Sequence, residues 1–324
     1  MAMFPSASGY AGIEATPLAR IGYSDLILSR VYEEDWLPRI TSSELLEPVT
    51  RCNQVIQIMR APEVGPLRSY QKNQQLVPNT VSTDARCLTI CNLGYQDIKF
   101  DMTDVKQACD RWAPFEEKML ESMYQSYVDS QRQFVLGRMM AQVSPETSLD
   151  RAGRMHNIDL GAPGNPVHVT PQNLPVVLAN LQRALLESKR WREGEMFIIV
   201  PPQLRTYLAM SNYSNSLWSC NCGGIIKGMW DHQLFGFQPI ESIHVPVRMD
   251  ESGNLCFYII AGHKEATAYA SNIIESRLIT QDPNSFGVRY QYLVAWGAEV
   301  IYPDALAMGY WTFDAINGGN CCNH

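Results

Sequence analysis

Between Phe115 and Met139 the chain carries one long row of apolar side chains. Phe115, Met119, Met123 and Tyr127 fall four residues apart, and Val135 and Met139 resume the row beyond Gln131. That spacing stacks side chains on one face of a helix. It predicts a helix that opens near Pro114, which a first turn tolerates, and runs to about Gln142. At 1.5 Å per residue it is about 40 Å long, and since an average helix has roughly a dozen residues, this one reads as a strut.

The segments before the strut contrast with it. Residues 1 to 25 are small, polar and aperiodic and read as an extended arm; a short helix is expected from Ser24 to Trp36, ahead of Pro38. Arg51 to Met59 looks strand-like. Residues 60 to 85 then carry Pro62, Gly65, Pro66 and Pro78 among Gln, Asn and Ser, which predicts a long protruding loop or hairpin without its own core. Asp97 to Met102 alternates strictly, so Ile98, Phe100 and Met102 belong on the buried face of a strand, and Thr103 can cap a short helix through Trp112.

Beyond a Pro- and Gly-rich connection over residues 144 to 170, Thr170-Pro171 opens a helix to about Trp191 with Leu174, Val177, Leu178, Leu181 and Leu185 on one side. Gly194 ends it. Met196 to Val200 reads as a fully buried strand and Gln203 to Met210 as a short helix. A strand over 255 to 260, a helix or irregular segment over 263 to 278 and a final hairpin complete the chain. In that hairpin Phe286, Val288, Tyr290 and Tyr292 alternate with Gly287, Arg289 and Gln291, and Gly297 is expected in the turn before Glu299 to Tyr302.

With 324 residues, 46% of them hydrophobic, the chain can bury a large core, and two subdomains fit its length better than one. A net charge of -7 without any block of Lys or Arg argues against a surface that grips nucleic acid through its phosphates. The opening residues lack a basic region followed by an apolar run, and no stretch approaches the roughly 18 apolar residues of a membrane span, so a soluble protein made in the cytoplasm is expected.

Phosphate-loop, dinucleotide, nucleophile-elbow and zincin motifs are missing from the sequence, which takes the usual anchors from an enzyme reading. His263-Lys264-Glu265 gathers base, cation and carboxylate, but adjacent helical residues do not face one another. Glu116, Glu117 and Glu121 lie off the apolar row as a surface cluster, and His156, His168, His232 and His244 lack ligand spacing.

The cysteines remain. Cys220 and Cys222 stand one residue apart before a glycine pair, where a zinc knuckle would use C-x2-C, and Cys321, Cys322 and His324 lie about a hundred residues away. A metal site, a disulfide within or between subunits, and plain thiols all stay open.

Several stretches together resemble the major capsid proteins of tailed double-stranded DNA bacteriophages. Glu195 to Leu208 gives buried strand, Pro-Pro and short helix in their order. Gly223-Gly224-Ile225-Ile226-Lys227-Gly228 with Leu234 to Pro246, then Ala261 to Ala270, then Phe286-Gly-Val-Arg-Tyr with Trp296-Gly-Ala-Glu-Val and Pro303-Asp-Ala-Leu-Ala are similar to the family's later segments. The resemblance covers most of residues 20 to 313.

It implies an α+β, Hong Kong 97-type fold with an N-terminal arm and short helix (1 to 50), an extended E-loop hairpin (51 to 96), a peripheral-domain strand and spine helix (97 to 170), a mainly axial domain (171 to 254), an axial return with peripheral strands (255 to 313) and a Cys-rich tail (314 to 324). The function it implies is structural, without catalytic, metal or cofactor sites. Copies would form the hexamers and pentamers of an icosahedral head around non-specifically packaged double-stranded DNA. The alternatives are an encapsulin-like compartment shell and a cytoplasmic metal-dependent enzyme using the Cys clusters.

Its partners would be itself, separate scaffolding and portal proteins and decoration proteins, with no membrane; it would assemble in the host cytoplasm and reside in the virion capsid. Lys72 falls at the E-loop tip, where some relatives carry a crosslinking Lys, though no matching Asn or Glu is identified. The axial placement of Cys220 and Cys222, together with Cys321 and Cys322 of the tail, makes these four the candidates for a subunit-to-subunit disulfide.

Overall fold

A computed structural model describes residues 35–42, 55–60, 67–76, 78, 84–90, 92–108, 112–211, 233–251, 253–280 and 286–313. In chain order the elements are α1 (Leu37–Ile40), β1 (Val55–Met59), β2 (Ala85–Thr89), β3 (Asn92–Asp101), α2 (Met102–Ala108), α3 (Trp112–Gln142), β4 (Val167–Val169), α4 (Leu174–Glu187) and β5 (Met196–Val200). They continue with α5 (Gln203–Met210), β6 (Gln238–Glu241), β7 (Val247–Met249), β8 (Leu255–His263), β9 (Thr267–Ile279), β10 (Gly287–Val300) and β11 (Leu306–Phe313). The expected arm and most of the helix over Ser24 to Trp36 fall outside the described residues.

The strut is present as α3, 31 residues long, and its apolar row serves two cores. Toward its start, Trp112, Met119 and Met123 pack with Ile98, Phe100, Val288, Tyr290 and Tyr292 on the antiparallel sheet β3-β10-β9. Phe100 meets both Trp112 and Phe115 edge to face, with ring centroids at 5.1 and 5.8 Å. Toward its end, Val135, Leu136 and Met139 enter the main core. There α4 covers a sheet ordered β4-β11-β8-β5-β6, in which β5 is buried along its whole length. Its central position explains an unbroken Met-Phe-Ile-Ile-Val, since neither face has to meet water.

Where α3 passes between the cores, the row is interrupted by Gln131 and Arg132, both buried. Arg132 pairs with Asp129 at 3.0 Å and with Asp35 at 3.9 Å, and lies 5.5 Å from the Trp36 ring. His244 adds a contact to Asp129 at 3.1 Å. A buried guanidinium persists only with such partners, so this cluster joins the segment before α1, the strut and the turn after β6.

Several expectations need correction. Residues 263 to 278 are not an α-helix: after one 3-10 turn over Lys264–Ala266, β9 occupies Thr267–Ile279, and a bulge opposite Leu293 and Val294 breaks the alternation that would have marked a strand. Gly297 is not in a turn; β10 runs unbroken through it, and Gly297 pairs with Ala270. Met102 begins α2 instead of ending the strand, although it still packs on the small core. The short helix expected ahead of Trp112 is described over Met102–Ala108, and residues 109 to 111 lie outside the described residues. Pro171 lies before α4, because Thr170 and Asn173 exchange hydrogen bonds in a turn that delays the helix to Leu174.

Candidate assembly surfaces

The expected protrusion has a defined root. β1 and β2 pair antiparallel from Val55 opposite Thr89 to Met59 opposite Ala85. Beyond them the Arg60 guanidinium reaches Asp84 at 2.9 Å. The same guanidinium lies 5.1 Å from the Tyr302 ring centroid, and Arg190 lies 5.3 Å from that ring while bonded to Asp304 at 2.7 Å. Tyr302 thus couples the hairpin root to the turn after β10 and to the segment after α4.

Leu88 and Ile90 complete the anchor by burying themselves with Ala268, Ala270, Ala295 and Ile301. Glycine is required beneath them: a Cβ on Gly297 would stand 2.5 Å from the Thr89 carbonyl oxygen and 3.1 Å from Ile90 Cα.

Past the root the chain carries apolar side chains into solvent. Met59, Leu67, Tyr70 and Leu76 are all strongly exposed, Leu67 completely. Lys72 sits in a turn in which the Gln74 N–H donates to the Gln71 carbonyl at 3.0 Å and Asn73 takes a left-handed conformation, φ 67°. Lys72 is exposed. Large apolar side chains held this far from any core are the mark of a contact surface.

A second surface is the face of the β3-β10-β9 sheet turned away from α3. Arg289 forms a bidentate pair with Asp97, Gln291 donates to Asp97 at 2.7 Å, and Arg277 donates to Gln291 at 2.7 Å. The Arg289 contact, then Gln291, holds the Asp97 carboxyl below its ordinary range. Tyr95 and Leu93 flank this network in solvent. The ladder crosses all three strands and sets their register from the wet side.

The other sequence candidates separate. Cys220, Cys222, Cys321 and Cys322 lie outside the described residues; Cys87 is exposed and Cys256 buried, both as free thiols. His263, Lys264 and Glu265 do not converge as a site. Instead His263 ends β8, its Nδ1 accepts from the Glu265 N–H at 3.2 Å, and its Nε2 donates to Glu195 at 2.7 Å. Arg192, then His263, holds the Glu195 carboxyl below its usual range.

Among the described residues there is no group of three His, Cys, Asp or Glu side chains placed to hold a metal ion, and no helix is long and apolar enough to cross a membrane. Sequence reading missed the Tyr302 stack and the Arg132 cluster. The only trace of the latter is the polar pair Gln131-Arg132 inside an otherwise apolar row.

No family model and no curated protein matches the sequence. Solved structures do. One from Mycobacterium phage Che8 superposes with a TM-score of 0.67 at 17% identity, covering 90% of this chain and 95% of that one. The capsid of Ralstonia phage GP4 superposes at 0.61 with 9% identity, covering 95% and 97%. The mature capsid of bacteriophage PhiM1 superposes at 0.56 with 14% identity, covering 90% and 93%. The chain therefore shares its overall fold with phage capsid structures and has the Hong Kong 97-type α+β fold.

Proposed function

We propose that this chain is a structural shell subunit, copies of which form the hexamers and pentamers of an icosahedral phage head around double-stranded DNA. The observation that carries the reading is the fold likeness to phage capsids over nearly the full length of both chains. The physical design supports it. A hairpin with no core of its own, rooted by Arg60, Tyr302 and Gly297 and ending in exposed Leu67, Tyr70 and Leu76, is stabilised when another copy covers it.

In this reading β1, β2 and the loop between them are the E-loop, with Lys72 at its tip contact, α3 is the spine, and the sheets β3-β10-β9 and β4-β11-β8-β5-β6 belong to the peripheral and axial domains. The acidic balance, net charge -7, suits a container whose contents must slide during packing instead of being pinned by Lys and Arg. Separate scaffolding and portal proteins would direct closure, and the finished subunit would reside in the virion capsid.

Electron microscopy of the purified chain, alone and with a candidate scaffolding protein, tests the reading. Closed icosahedral shells are expected. Monomers under every assembly condition would sink it, and shells that co-purify with protein cargo instead of nucleic acid would transfer it to an encapsulin-like compartment.

A further inference from the structure

β9 is the outer strand of its sheet. β10 pairs with one of its edges, and among the described residues the other edge carries a single parallel bridge, Ser42 to Ala268. Beyond that bridge the strand stands in solvent: Ile273 is 50% and Leu278 53% exposed, and the side chains of Glu275 and Arg277 are 60% and 58% exposed. A long edge with unpaired N–H and C=O groups and exposed aliphatic side chains is a template for another strand.

The order of side chains specifies which strand. Outward from Ser276 the flanking residues are Glu275 and Arg277, then Ile274 and Leu278, then Ile273 and Ile279. An identical strand laid antiparallel and centred on Ser276 sets Glu275 opposite Arg277 twice, and brings the exposed Leu278 beside Ile274, which the bulge leaves without a partner on β10. Opposite charges facing one another are among the pairs that stabilise neighbouring strands. A slip of two residues in either direction sets Glu275 against Glu275 or Arg277 against Arg277, and a parallel in-register strand does both. One alignment is favoured and its nearest competitors are penalised.

We propose that β9 pairs antiparallel with β9 of a second copy about a two-fold axis at Ser276, joining two β3-β10-β9 sheets into one of six strands. Such a contact is isologous, the same patch on both copies. It rests on the shell reading for what brings the copies together. So short a run on each side makes a patch smaller than the roughly 800 Å² per partner of a free-standing complex, so the pairing acts where other contacts already hold copies close.

The axis supplies its own test. Residues directly opposite on antiparallel strands have Cα atoms about 4.5–5.5 Å apart, within disulfide range. Full-length Ser276→Cys is oxidised mildly, both as assembled particles and as soluble chain, and the linked peptides are mapped by mass spectrometry to separate them from the nine natural cysteines.

A dimer linked through position 276 is expected, with none through position 271 in Ser271→Cys, which the axis holds far from its own copy. Adding Glu275→Arg to Ser276→Cys should lower the yield about fivefold, and adding Arg277→Glu as well should restore it. Particles that form normally but keep a reduced, reactive thiol at 276 would overturn the pairing and leave the shell reading standing. A link at 276 in soluble chain that never forms particles would do the reverse, and the absence of both would end both.

Discussion

The Tyr302 ring meets two guanidiniums, Arg60 at 5.1 Å and Arg190 at 5.3 Å from its centroid. Each such contact contributes about 0.5–1 kcal/mol at a partly exposed site. Because Arg60 belongs to the hairpin root and Arg190 to the body, Tyr302→Leu should release the root without unfolding the body. Hydrogen exchange at the β1 and β2 amides is expected to rise by about fivefold, since ~1 kcal/mol is a factor of that order, while β5 amides stay protected. Equal acceleration in both elements would show that Tyr302 supports the whole fold and not the hairpin alone.

Gly297 and Gly137 make a matched pair for alanine substitution. At Gly297 the new methyl would meet backbone of Thr89 and Ile90, which no rotamer change can relieve, whereas at Gly137 in α3 nothing lies within 4 Å. Gly297→Ala should cost about 1–3 kcal/mol through overpacking. Gly137→Ala should gain about 0.5–1 kcal/mol from helix propensity. Denaturant midpoints of the two variants should therefore move in opposite directions, and a Gly297→Ala protein as stable as the parent would mean that β2 does not lie where Thr89 and Ile90 place it.

What the sequence reveals follows from periodicity. The strut, the buried strand Met196 to Val200 and the helix Gln203 to Met210 were legible because each repeats one pattern over its length. β9 was not, because Ala268 and Ala270 are small, its outer half is exposed on both faces, and the bulge shifts its register. Gly297 misled for a related reason: the glycine answers a strand packed above it, far away in sequence, and not a turn. The root contacts of Arg60 and Tyr302 join residues with no local relation, and no spacing rule could find them.

Arg132 should be the costliest surface-to-core ion pair to break. Its side chain is 1% exposed and depends on Asp129 and Asp35 for charge compensation. Arg132→Ala removes a packed side chain and leaves a void beside Trp36, with an expected loss of roughly 3 kcal/mol. Arg132→Met, which fills the space without a charge to bury, should recover most of that loss. If calorimetry finds Met no better than Ala, the ion pairs themselves hold the strut to the segment before α1, and packing is secondary.

Acid should loosen the wet face of the β3-β10-β9 sheet before the main core. Arg289 and Gln291 lower the folded-state pKa of Asp97 from an ordinary value of 3.8. A carboxylate with a lowered folded pKa contributes stability that is present above its unfolded value and lost as pH falls through the folded one. The network is thus intact through neutral pH and fails only below 3.8. Exchange of β3 and β10 amides, divided by the intrinsic rate at each pH and followed downward from pH 6, should stay level to about pH 4 and then rise. In Asp97→Asn the rise near that pH should disappear, leaving a sheet that is weaker at neutral pH and less sensitive to acid. A parent sheet that loosens already at pH 5 to 6 would point to a histidine instead, and would remove Asp97 from this role.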